Sequence, residues 1–147
     1  MENPNLYDQD TFYRAFERDL LHARYQVIIE SPFITTRRMT MLLPILARLR
    51  QRDVSIIINT RNPSEHDGNY YDQALEVIAM MQEMDVKVLY TTRHHRKLAI
   101  IDREVLYEGS LNILSFSDSC EIMRRVVSST EAMRLLKFIG MKKYAGR

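Results

Sequence analysis

One cysteine in 147 residues, Cys120, leaves no partner for a disulfide within the chain and no thiolate set for zinc. That usage fits a reducing compartment, and the cytoplasm is the expected location. Glycine and proline number four each, too few for a low-complexity linker, and no internal repeat is visible. No apolar run is long enough to span a bilayer, and the opening MENPNLYDQDTFYRAFERDL is too polar for a signal peptide. No membrane is therefore expected as a partner. Neither sign of charge dominates: 21 Lys and Arg stand against 19 Asp and Glu. The sum names no nucleic-acid partner, so the distribution of the cations has to be read instead.

What is present is an ordinary globular composition, 46% hydrophobic and 27% charged, at a length that suits one domain over 1–147. Asp10 is placed to cap a first helix carrying Phe12, Phe16 and Leu20 at four-residue spacing. YQVIIES (25–31) and DVSIIINT (53–60) read as buried strands, and VKVLY (86–90) as a third. Between them, TMLLPILARLRQR and YYDQALEVIAMMQEMD have helical spacing, with Pro44 marking a start or kink in the former. This alternation predicts parallel strands joined by right-handed crossovers. KLAIID and EVLYEG then read as an antiparallel hairpin, CEIMRRVV (120–127) as a sixth strand, and TEAMRLLKFIG as a last helix capped by Ser128 or Ser129 and ended by Gly140. The expected class is α/β, a mixed, mostly parallel sheet flanked by helices.

In such sheets ligands sit at the carboxyl ends of the parallel strands. Those ends carry Arg37 and Arg38, Arg61, and Arg93 followed by His94, His95, Arg96 and Lys97. Three loops thus bring cations to one edge, a pattern suited to a phosphate-bearing ligand, and Arg37, Arg61 and Arg93 are the candidate substrate contacts. In the hairpin, a two-residue turn pairs Lys97 with Glu108 and His95 with Ser110; a three-residue turn sets Lys97 opposite Gly109. Both registers put Gly109 and Ser110 beside His95 and Lys97. Asp102 falls at the turn and is expected to fix the hairpin, while Gly109 lets backbone approach a ligand.

The string His95-x-Lys97-x4-Asp102-x6-Gly109-Ser110-x-Asn112 resembles the HxKx4D…GSxN signature of the phospholipase D superfamily. One motif copy at this length is similar to the single-motif, nuclease-like branch. The resemblance implies phosphodiester cleavage with neither metal nor cofactor. His95 would be the nucleophile that forms a phosphohistidine, with Lys97, Ser110 and Asn112 holding phosphate oxygens. It also implies a downstream acid that orients the histidine. Glu121 is the candidate, with Ser119 two positions before it where the family often has Asn. Two histidines are needed and one motif is present, so a homodimer with a shared site is expected. DNA or RNA is the expected substrate. A nucleic-acid-binding module accessory to a helicase or restriction assembly, and a phospholipid phosphodiesterase, are the alternatives.

Blander readings cover the other candidates. His94 should face away from His95 and fill a structural or surface role. His66, between Glu65 and Asp67, reads as a solvated loop residue, and His22 carries no functional signal. Met80, Met81 and Met84 read as core or interface filling. Glu30, before Ser31-Pro32-Phe33, has no assigned role.

Overall fold

The structure is a computed structural model that describes residues 5–144. It begins with a short strand β1 (Leu6–Asp8), helix α1 (Phe12–Leu21), strand β2 (Gln26–Glu30) and helix α2 (Thr36–Gln51). Strand β3 (Ser55–Arg61), helix α3 (Gly68–Glu83) and strand β4 (Lys87–Thr91) complete the alternating part. Hairpin strands β5 (Leu98–Ile101) and β6 (Val105–Gly109), strand β7 (Ile122–Val127) and helix α4 (Ser129–Phe138) follow. All seven strands form one sheet in the order β1-β7-β6-β5-β2-β3-β4.

Val27, Ile28 and Ile29 are all shielded from solvent, so β2 is covered on both faces. Val27 and Ile29 face a core built with Phe12 and Phe16 of α1, Leu42 and Leu46 of α2, and Val77 of α3. Ile28 faces the other side, where Ile57, Ile100 and Leu106 meet Ala132 and Leu136 of α4. The period-two alternation of β2 thus divides three helices from one.

The expectation of a mostly parallel sheet is corrected here. Only β2 with β3 and β3 with β4 run parallel; β5 returns on the open flank of β2, and every pairing from there outward is antiparallel. Strand β1, paired with β7, was not anticipated, because three residues of polar context carry no periodicity. The residue flanking the start of α1 is Thr11, not Asp10, and its side chain makes no capping hydrogen bond. The Asp8 carboxylate accepts from the backbone N–H groups of Asp10 and Thr11 instead. Helix α2 begins at Thr36 and runs through Pro44, its ends held by buried Met39, Leu42, Leu46 and Leu49.

The hairpin turn takes the three-residue register, with Ile101 opposite Val105 and Leu98 opposite Glu108. Asp102 and Arg103 adopt φ of 54° and 52°. The Asp102 carboxylate accepts three backbone N–H groups, from Arg24 and Tyr25 at 2.8 Å and Gln26 at 3.0 Å. Its expected role in fixing the hairpin is thereby given a partner, the entrance of β2. The mixed topology has one positional consequence: the ends of β2, β3, β4 and β6 and the starts of β5 and β7 share one edge of the sheet.

Candidate active site

At that edge, residues 92–97 form an irregular run between β4 and β5. His95 is exposed, and His94 points the other way into the protein, 3% exposed, with Nε2 3.2 Å from Glu30 Oε1. Lys97 Nζ donates to the His95 carbonyl at 2.9 Å. Gly109 N donates to the Lys97 carbonyl at 3.2 Å, which fixes the end of β6 against the nucleophile candidate's loop.

Arg61 lies on His95. Its Nη2 is 3.2 Å from Nδ1 and 3.0 Å from Nε2 of the same imidazole. An in-plane approach to both nitrogens would collide with Cε1, so the guanidinium nitrogen sits out of the plane of the ring. Arg61 Nε also donates to the His94 carbonyl at 3.2 Å, and its other neighbour is Phe33, 5.0 Å from Cζ to ring centroid. Phe33 in turn contacts His66 at 5.0 Å and Tyr70 at 5.1 Å between centroids. His66 is therefore half-buried in an aromatic cluster and not a free loop residue. Burial, and then the charge of Arg61, lower its pKa.

Ser110 is held by the entrance of β7: Ile122 N donates to its Oγ at 3.0 Å, and its own N donates to the Ile122 carbonyl at 2.8 Å. Asn112 Oδ1 is buried without a hydrogen-bond partner among the described residues, which is costly for a group with only a packing role. The loop carrying Asn112 is fixed by Arg38, whose Nε donates to the Ile113 carbonyl at 3.0 Å, and by Leu114 N donating to Ser31 Oγ at 3.2 Å. Arg38 itself is fully buried and ion-paired to Glu17, so it belongs to the scaffold and leaves the cationic edge.

Glu121 stands elsewhere than the motif reading implies. Its carboxylate accepts from Ser119 Oγ at 2.5 Å, and no hydrogen bond joins it to His95 among the described residues. Bonding to the Ser110 and Ser119 hydroxyls, aided by the Lys97 charge, lowers its pKa and keeps it ionised at neutral pH. The structure thus couples Glu121 to Ser110 and Lys97. Arg37 lies over Phe116 at 5.4 Å, on the first turn of α2. Arg93 has φ of 58° and gives its backbone N–H to the Glu65 carboxylate at 3.0 and 3.1 Å. Of these three arginines, Arg61 is the one in contact with His95. Among the described residues, no three His, Cys, Asp or Glu side chains gather closely enough to hold a metal ion.

Gly109 lines the groove that His95 and Lys97 open on, and it makes a second close approach as well. A Cβ there would lie 2.2 Å from the Ile122 carbonyl oxygen and 2.8 Å from Met123 Cα, so the close approach is to β7. Gly109→Ala should cost about 1–3 kcal/mol through overpacking, lowering the thermal midpoint by several degrees in a calorimetric scan. An unchanged midpoint would remove this account of the glycine.

His95, Lys97 and Ser110 open on one groove of about 680 Å³ whose far wall is apolar, made by Leu6, Ile122, Leu135, Phe138 and Ile139. Phe138 is 82% exposed there. No helix among the described residues is long and apolar enough to cross a membrane.

The fold is similar to several solved structures. Nuc from Salmonella typhimurium, a phospholipase D family member, superposes with a TM-score of 0.71 at 14% identity, over 92% of this chain and 91% of that one. NucT from Helicobacter pylori gives 0.71 at 17% identity, over 90% of each chain. TrmBL2, an archaeal chromatin protein with a novel mode of DNA binding, gives 0.66 at 11% identity, over 98% of this chain and 53% of that one. No curated protein sequence matches this chain. A family model described as cardiolipin synthase, PLD-like domain, matches residues 16–138, a span that holds the whole His95–Asn112 motif and every layer of the fold, and the chain belongs to the phospholipase D-like family.

Proposed function

We propose that this protein is a metal-independent phosphodiesterase, a nuclease of DNA or RNA, acting through His95 at a site shared by two copies. The observation that carries the reading is the convergence of His95, Lys97 and Ser110 on one groove, with Arg61 over the imidazole.

A neutral ring nitrogen of His95 attacks phosphorus, forming an N–P bond as the P–O bond to the leaving group breaks. The leaving oxygen takes a proton from a second, protonated imidazole, His95 of the other copy. That imidazole, now neutral, removes a proton from water; the water oxygen attacks phosphorus, the N–P bond breaks, and neutral His95 returns. Lys97, Ser110, Asn112 and Arg61 supply charge and donors to the phosphate oxygens, where phosphoryl transfer gains most from positioned positive charge. Glu121 acts through Ser110 and Lys97, holding the pair in place. Arg37 and Arg93 extend the cationic edge for the flanking phosphates. A cytoplasmic enzyme with one exposed free thiol, Cys120, completes the proposal.

The similarity of the fold to TrmBL2, a chromatin protein that binds DNA, supports a nucleic-acid partner. The exposed apolar wall beside His95, with Leu6, Ile122 and Phe138 at 49%, 52% and 82% exposure, supports a second copy docking there. The same wall favours a second reading, a phosphodiesterase of lipid headgroups, because it supplies the apolar access surface that the sequence does not display. Turnover on a panel of single- and double-stranded DNA, RNA and phospholipid vesicles, with EDTA present, separates these. The expected result is EDTA-resistant cleavage of nucleic acid by a species of twice 17.4 kDa. Strict dependence on added Mg²⁺, or full activity from a monomer, would overturn the mechanism. Salt-sensitive binding without cleavage would make the chain a binding module, accessory to a helicase or restriction assembly.

A further inference from the structure

The exposed imidazole of His95 sits on a run with no regular secondary structure, yet both of its chain neighbours are gripped from below. Glu30, the last residue of β2, is 0% exposed. Its Oε1 accepts from Arg96 Nε at 2.8 Å and lies 3.2 Å from His94 Nε2. Its Oε2 accepts from Asn59 Nδ2 on β3 at 3.0 Å, and Asn59 Oδ1 accepts from Thr91 Oγ1 on β4 at 2.8 Å. One carboxylate therefore ties the residues before and after His95 to the ends of three parallel strands.

We infer that Glu30 is a positioning residue for the nucleophile, holding the His94–Arg96 backbone so that the His95 ring is presented at a fixed point of the groove. This rests on the reading of His95 as the nucleophile. Burying a carboxylate is expensive, and a well-packed apolar residue at the same place is as stable or more so. A role confined to packing would be filled by isoleucine, as at Ile28 and Ile29. What the carboxylate adds is direction: two hydrogen-bonding directions from Oε1 select the residues flanking His95. Burial pushes the Glu30 carboxyl up, but the hydrogen bonds of His94 and Asn59 and the charge of Arg96 outweigh it, so the group stays ionised and keeps its grip. Arg61, donating to the His94 carbonyl, closes the run from the β3 side.

The test compares Glu30→Gln, Glu30→Asp and Arg96→Ala with wild type on whichever phosphodiester wild type cleaves. Misplacing a reacting group by a fraction of an ångström to an ångström lowers turnover by about 10- to 100-fold. Glu30→Gln should therefore lose kcat on that scale while KM stays within about two-fold. Glu30→Asp, which keeps the charge, should recover part of the loss. Arg96→Ala removes half of the grip from a side chain that is 43% exposed, so the core is left intact; it should lower kcat several-fold with KM unchanged. Full kcat in a folded Glu30→Gln protein, or a loss that merely tracks the unfolded fraction, would overturn the inference. The His95 imidazole resonances read the same point without turnover. They should be one sharp set in wild type and broadened or doubled in Glu30→Gln. Identical spectra would sink the positioning role even if catalysis proved absent, whereas an inactive wild type with altered spectra would sink only the proposed function.

Discussion

His95→Ala should lower phosphodiesterase turnover by about four orders of magnitude or more, while binding of the same substrate changes little. The size follows from what is removed. The ring supplies the atom that would bond to phosphorus, and in a shared site the same substitution also removes the acid that protonates the leaving oxygen. Lys97, Ser110 and Arg61 remain, so the proposed phosphate contacts are left in place. Fold should be unaffected, because the side chain is exposed and its contact is with the surface-lying end of Arg61. Single-turnover kinetics and a direct binding titration check both halves. Wild-type turnover in the variant would remove His95 from the chemistry altogether.

Asp102→Ala should be the most destabilising single substitution at the motif. Three backbone N–H groups at the entrance of β2 lose their acceptor together. Each buried donor left unsatisfied costs about 1–3 kcal/mol, so a loss of about 3–5 kcal/mol is expected after water reaches the more exposed of them. Alanine is also a poorer fit than aspartate to the φ of 54° at this turn. Asp102→Asn should fall between, since its remaining oxygen still accepts from Tyr25 and Gln26 while its amide faces the Arg24 N–H. Chemical denaturation orders the three proteins, with wild type first, Asn second and Ala last. An Ala variant as stable as wild type would show that the motif aspartate is not what ties the hairpin to β2. This would also separate the motif's structural member from its chemical ones, because Asp102→Asn should keep most of its turnover where it remains folded.

Much of the edge was legible beforehand because its signals are local. His95 and Lys97 lie close in sequence, and the short hairpin confines Gly109 and Ser110 to their neighbourhood under either turn length. The choice between the two registers was not local. It depends on three backbone groups near residue 25 that Asp102 reaches across 76 to 78 positions. Strand alternation turns His94 away from His95 but leaves open whether it is buried; its partner Glu30 lies 64 residues away and carries no local signal. Likewise Phe33, His66 and Tyr70 join Arg61 only through packing between separate segments, two loops, the first turn of α3 and the end of β3. Their one visible trace was an aromatic residue after Pro32 and a histidine in a polar loop.

The sequence by itself determined the helices, all strands but β1, and the spacing of the motif: periodicity sets helix or strand, and the short hairpin sets Gly109 and Ser110 beside His95 and Lys97. Tertiary structure decided which strands became neighbours, and hence that the sheet is antiparallel over most of its width, that Arg38 is scaffold while Arg61 is at the ring, and that Glu121 faces Ser110 and not His95. The division has a physical origin. Side-chain period and turn chemistry act over a few residues, whereas strand order and buried ion partners are chosen by which apolar faces and polar groups of distant segments can be satisfied at once.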